Sequence, residues 1–127
     1  MEKSVIRTEA APAPFQGAPY NQAIVVGELV FVAGQLGLEP GDTAVAGNIG
    51  EQTEQALANL AAILEAAGSS MDKVVNVIFL LRDAADFAGM NEEWVRWFPT
   101  DPPARTGAKH PLEVENLLIS MSVVAEA

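Results

Sequence analysis

Asn48 to Leu81 reads NIGEQTEQALANLAAILEAAGSSMDKVVNVIFLL, and the change of hydrophobic period inside this stretch decides the fold. Ile49, Thr53, Ala56, Leu57, Leu60, Ile63 and Leu64 recur at a spacing near 3.6, while Glu51, Glu54, Gln55 and Glu65 fall away from that face. Such a pattern predicts an amphipathic helix. Asn48 suits its N-cap, Glu51 suits the positive end of its dipole, and Gly68 supplies the left-handed residue that often ends a helix. After the turn Ser69-Ser70-Met71-Asp72, the β-branched and almost wholly apolar run Val74–Leu81 predicts a strand buried on both faces.

Upstream, Ser4–Thr8 alternates weakly, and Pro12, Pro14 and Gly17-Ala18-Pro19 interrupt regular structure. The runs Ala23–Val26 and Leu29–Ala33, parted only by Gly27-Glu28, predict a β-hairpin. Gly34, Gly37, Gly41 and Gly47 with Pro40 and Asp42 then mark a long loop. Downstream, Phe87, Met90, Trp94, Val95 and Phe98 give a second helical face over Asp83–Phe98, which Pro99 and Pro102-Pro103 stop. A short strand is expected at Ala104–Ala108 and a last one at Leu117–Val124. In the last strand Leu118, Ser120, Ser122 and Val124 share one face and Ile119, Met121 and Val123 the other. The order β-β-β-α-β-α-β-β predicts an α+β fold, a mixed sheet with two helices on one face. Its other face is then left apolar and uncovered, which argues for self-association.

The 127 residues fit one domain spanning 1–127, and 50% apolar with 19% charged residues is a composition able to bury a core. Seven Lys and Arg against seventeen Asp and Glu leave a net charge of −10, which repels a phosphate backbone, so no nucleic acid partner is expected. Without cysteine and with one histidine, thiolate chemistry and Cys- or multi-His metal centres are excluded. No metal is expected. Apolar runs stop far short of the roughly 20 residues of a membrane helix, and no export signal precedes them, so a cytoplasmic protein with no membrane partner is expected.

Few residues invite chemistry. Arg105 follows a Pro-Pro-Ala loop into a strand, where a guanidinium either grips a carboxylate through two parallel hydrogen bonds or forms an ordinary surface ion pair. Tyr20 either orients a ligand or packs with its hydroxyl satisfied. Asn91 shares a helical face with Phe87, Trp94 and Val95, as a satisfied amide or at a pocket edge. His110, ahead of Glu113 and Glu115, is expected to be solvated in a loop that gives it no rigid support. Glu51, Glu54, Glu92 and Glu93 are expected on polar helix faces, and Gly27, Gly34 and Gly37 form no nucleotide-binding motif.

Five stretches in one order resemble the Rid family (RidA/YjgF, reactive intermediate imine deaminases). They are Ala18-Pro19-Tyr20-Asn21-Gln22-Ala23, Val32-Ala33-Gly34-Gln35-Leu36-Gly37, Gln55-Ala56-Leu57-Ala58-Asn59-Leu60 running on to Gly68, Asp86-Phe87-Ala88-Gly89-Met90-Asn91, and Pro103-Ala104-Arg105-Thr106. The resemblance implies a chorismate-mutase-like fold assembled as a homotrimer, with sites in the clefts between subunits and no cofactor. It implies that Arg105 holds a substrate carboxylate, that Tyr20 lines the cleft, and that Asn91, Ala33 and Gly34 border it. Gly107, where some members carry a cysteine or other side chain, is expected to enlarge or simplify the cleft. One departure matters: deaminating members carry a Val-Glu-Ile-Glu-Ala-type last strand whose first glutamate positions water, and Ile119-Ser120-Met121-Ser122-Val123 stands here instead.

A serine hydroxyl holds water but is not ionised at neutral pH, so it cannot replace the carboxylate as a base. The implied function is therefore a Rid-type hydrolase of small carboxylate-bearing imines or enamines, the 2-iminopropanoate and 2-aminoacrylate class, with reduced or altered activity and Ser120 assisting the water. Two alternatives stand beside it: a non-catalytic binder of small carboxylates, such as keto acids, using the same cleft, and a diverged enzyme acting on a specialised-pathway intermediate. Whether Glu113 or Glu115 swings into the cleft is open at this level.

Overall fold

The computed structural model describes residues 2–127. Helix α1 (Ile49–Ala66) forms where the 3.6-residue period lies. Its start is a capping box: Glu51 N–H donates to Asn48 Oδ1 at 2.9 Å and Asn48 N–H donates to Glu51 Oε1 at 3.0 Å. Its end is a Schellman motif, with Ser69 N–H donating to the Leu64 carbonyl and Gly68 N–H to that of Glu65, Gly68 adopting φ 82°. Asn48→Ala is expected to remove about 1 kcal/mol and lower Tm by roughly 3–5 °C, read by thermal denaturation; an unchanged Tm would show that the cap contributes nothing.

Six strands make one sheet: β1 (Lys3–Ile6), β2 (Ala23–Val26), β3 (Leu29–Leu36), β4 (Val74–Leu81), β5 (Ala104–Lys109) and β6 (Ile119–Glu126), in the order β1-β2-β3-β6-β4-β5. Neighbours run antiparallel except β4 and β5, whose parallel pairing needs a crossover and receives it from helix α2 (Phe87–Trp97). The sheet is mixed, with both helices packed on one face. Strand β3 does not stop at Ala33 as expected but continues through Gly34 to Leu36, because β6 offers it a partner edge; the register shift between Val32 and Gln35 is a bulge. For the same reason β6 begins and ends two residues later than the apolar run suggested.

Val30, Val32, Val77, Phe79, Ile119, Met121 and Val123 pack beneath Leu57, Leu60, Ile63, Leu64, Met90 and Trp94. The opposite sheet face is open in the single chain. Phe31 and Ile78 are 44% and 45% exposed there, so β4 is buried on one face only, not on both. On α2, Phe87 and Val95 are exposed while Met90, Trp94 and Phe98 are buried.

Polar residues buried in α1 tie the long loop down. Gln52 donates to the carbonyls of Gly47 and Asn116 and accepts from Leu118 N–H, and Asn59 donates to the carbonyls of Leu36 and Leu38. The chain passes so close that a Cβ at Gly37 would stand 2.6 Å from Gln52 Cα. Positions 52 and 59 fall on the helical face that carries Ala56 and Ile63, and that spacing was the available signal for their burial. His110 is not solvated: it is buried with its Nε2 3.2 Å from the Leu117 carbonyl, because Leu117 belongs to a second apolar cluster with Leu36, Leu38 and Val45. Glu113 and Glu115 remain exposed. Glu93 departs from the expected polar face, being buried and accepting from Trp97 Nε1. Among the described residues no helix is long and apolar enough to cross a membrane.

Candidate functional site

Arg105 is the second residue of the edge strand β5, beside Val77 in the parallel register, and therefore projects on the helix side of the sheet. There its Nη1 donates to Asn91 Oδ1 at 2.8 Å. Its Cζ lies 4.8 Å from the Trp94 ring centroid, 5.3 Å from Phe79 and 5.4 Å from Phe87. Three rings and one amide thus fix the guanidinium, the negative face of each ring's quadrupole attracting the cation above it. Phe87, Asn91 and Trp94 sit at i, i+4 and i+7 on α2, which is why one helical face can supply all three.

The surface ion pair expected as the plainer reading is not formed: among the described residues the ion pair present is Arg96 with Glu93, at 3.9 Å. Arg105 is half-buried and keeps further N–H donors beyond the one given to Asn91. That is the arrangement of a positioned, uncompensated cation able to accept a planar carboxylate.

Gly107, two residues further along the same face, does not enlarge the cleft. A Cβ there would stand 2.2 Å from Phe79 Cζ, so the Phe79 ring already fills the space that the missing side chain leaves. Beyond this ring an open cleft of about 750 Å³ runs past Phe87, Leu81 and Ala108.

Tyr20, Ala33, Gly34 and Ser120 form a second group. The Tyr20 hydroxyl accepts from Phe15 N–H at 2.7 Å and retains its own proton to donate. The segment before it is pinned by buried Gln22, which donates to the carbonyls of Thr8, Ala11 and Pro12 and accepts from Thr8 N–H. Tyr20 and Gly34 line one small pocket, and Ser120 Oγ lies 3.0 Å from where a Cβ at Gly34 would be. Ala33 N–H is spent on the Gln22 carbonyl at 2.9 Å.

The two groups do not meet within one chain. Ser120 pairs with Leu36 on β3 and Leu80 on β4 and so points to the open sheet face, whereas Arg105 points to the helix face with β4 lying between them.

Residues 8–127 match the family described as Endoribonuclease L-PSP. Over 127 residues the chain is 44% identical to a RutC family protein of Pyrococcus abyssi, covering 98% of each. The chain belongs to the Rid family. Another Rid relative, named 2-iminobutanoate/2-iminopropanoate deaminase, from Bos taurus, is 38% identical over 104 residues, covering 81% of this chain and 74% of its own length. Among solved Rid structures, RidA from an Antarctic Psychrobacter superposes with a TM-score of 0.90 at 32% identity, covering 98% of this chain and 99% of that one.

Proposed function

We propose that this Rid-family chain, acting as one domain, hydrolyses small carboxylate-bearing imines or enamines of the 2-iminopropanoate and 2-aminoacrylate class without a cofactor, in clefts between the subunits of a homotrimer. The observation that carries it is the guanidinium of Arg105, held by Asn91 and three rings with donors to spare and, among the described residues, no carboxylate paired to it. Arg105, Asn91 and Gly107 of one copy would face Tyr20, Ala33, Gly34 and Ser120 of the next, which is how two groups on opposite sheet faces make one site. The open face carrying Phe31 and Ile78 is the apolar surface that such an assembly would bury.

The reaction adds water across the C=N bond of the protonated imine, forming a carbinolamine. A proton moves from the added oxygen to nitrogen, the C–N bond breaks, and a 2-oxo acid and ammonium leave. Arg105 binds and orients the carboxylate; Ser120 holds the water by a hydrogen bond but takes no proton. A general base contributes about 10²- to 10⁴-fold, so turnover should fall below that of glutamate-bearing relatives by roughly that factor.

The test generates 2-iminopropanoate in situ and follows pyruvate and ammonia release. A slow rate, lost in Arg105→Ala, is expected; absence of any rate on any imine would end the enzyme reading. Co-assembly of Arg105→Ala with Ser120→Leu subunits checks the shared cleft, since random mixing in a trimer leaves about a quarter of clefts intact and should restore activity absent from either variant alone.

The serine at position 120 also favours a second reading, a binder of small carboxylates that has lost the chemistry. Saturable binding of pyruvate with no imine turnover would select it. Ribonuclease action fits poorly, because a net charge of −10 per chain becomes about −30 in a trimer and repels RNA.

A further inference from the structure

We infer that Phe79 sets the substrate range of the site at Arg105 by leading a bound side chain into the cleft that Phe79 and Phe87 line beside it, directing the site to imines with a branched or aromatic side chain in preference to 2-iminopropanoate; this rests on the carboxylate reading of Arg105 given above. The parallel register places Phe79 beside Gly107, both facing α2. Gly107 is not among the glycines with positive φ, so its backbone does not require glycine. What requires it is the ring: a Cβ at 107 would lie 2.2 and 2.3 Å from Phe79 Cζ and Cε2. The absent side chain lets Phe79 lie across the edge strand.

In that position the Phe79 ring stands 6.0 Å from the Phe87 ring, tilted by 35°, and both rings flank the Arg105 guanidinium. Arg105 does not itself line the cleft of about 750 Å³, but Phe79 and Phe87, which flank its guanidinium, do, and with Leu81 and Ala108 they give the cleft an apolar wall next to the carboxylate clamp. A ligand held by Arg105 therefore has its side chain within reach of two phenyl rings. A methyl group covers little of that wall and leaves the rest to water, whereas each further buried methylene is worth about fourfold in affinity.

Arg82 and Lys109 also border the cleft and raise the competing case of an acidic side chain. Arg82, however, donates its guanidinium to the Val114 carbonyl, and Asp83 stands beside it on the same rim, so the positive charge on that side is partly offset.

Calorimetry with the stable product acids tests this without requiring turnover. Phenylpyruvate and 4-methyl-2-oxopentanoate are expected to bind at least about tenfold tighter than pyruvate. Gly107→Ala, at an exposed strand position, should displace the ring and reduce the ratio to about threefold or less, and Phe79→Leu should do the same. If Phe79→Leu does not fold, Gly107→Ala carries the comparison. Equal or tighter binding of pyruvate, a ratio unchanged in the variants, or tightest binding of 2-oxoglutarate would overturn the inference alone. Failure of every 2-oxo acid to bind would overturn the carboxylate reading and this inference with it.

Discussion

Arg105→Ala should abolish measurable binding of 2-oxo acids and any imine turnover while leaving the chain folded. A bidentate guanidinium–carboxylate contact comprises two charge-assisted hydrogen bonds, each worth about 1.5–3 kcal/mol, so the loss should be at least about a hundredfold in Kd and in kcat/KM. The fold should survive because Arg105 makes no ion pair among the described residues. What it gives up is one bond to Asn91 and the attraction of three rings, the latter worth about 1 kcal/mol at a half-exposed site. Arg105→Lys separates charge from shape. An ammonium keeps the charge but neither stacks as a plane between Trp94 and the two phenylalanines nor offers a fork, so it should recover only part of the affinity. Asn91→Ala, which frees the guanidinium on one side, should fall between wild type and Arg105→Ala. Calorimetry and circular dichroism on the same samples decide it. Binding that survives Arg105→Ala would remove the carboxylate clamp from any account of this protein.

The parts of this site legible in the sequence are those governed by local periodicity. The face shared by Phe87, Asn91 and Trp94 follows from helical spacing, and the alternation of Ser120 with Ile119 and Met121 follows from the pleat. The caps of α1 followed from Asn48, Glu51 and Gly68, and the β2–β3 turn from Gly27-Glu28. What was not legible depends on which strand lies beside which. The Phe79 ring covers Gly107 only because β4 and β5 run parallel in a register that sets those two residues side by side. Likewise β3 extends through Gly34 only because β6 pairs with it, and His110 is buried only because Leu117 returns to a cluster formed by Leu36 and Val45. Pairings such as Phe79 with Gly107 or Gln35 with Met121 join residues far apart in the chain and leave no mark in a local window. Arg105 shows the same limit: taken without the resemblance, its sequence left a clamp and a surface ion pair both open, and its cage depends on how β4 and α2 pack around β5.

Ser120→Glu is expected to raise imine hydrolysis by about 10²-fold or more, because it supplies the base that the serine cannot. The resemblance places a glutamate at this position in deaminating relatives, and the geometry says what such a side chain meets here. Ser120 is buried on the open sheet face, with Gly34 bare beside it and Leu36 and Leu80 as its strand partners. Gly34, which carries no side chain, leaves room beside position 120 for the glutamate to extend. Arg105 of the same chain lies across the sheet and does not face that charge. A buried carboxylate without a partner costs several kcal/mol, so the variant chain alone should be less stable than the parent. Assembly changes the sign. If the next copy brings its Arg105 into the same cleft, the guanidinium offsets that charge, and the substrate ammonium or imine nitrogen offsets it further. The variant should therefore depend on assembly more than the parent does, with a Tm that rises with protein concentration and with added 2-oxo acid. Sedimentation with rates on 2-iminopropanoate decides it. A Ser120→Glu protein that assembles, binds 2-oxo acid and hydrolyses no faster would mean the cleft differs from that of the deaminases in more than one residue, and the binder reading would then take precedence.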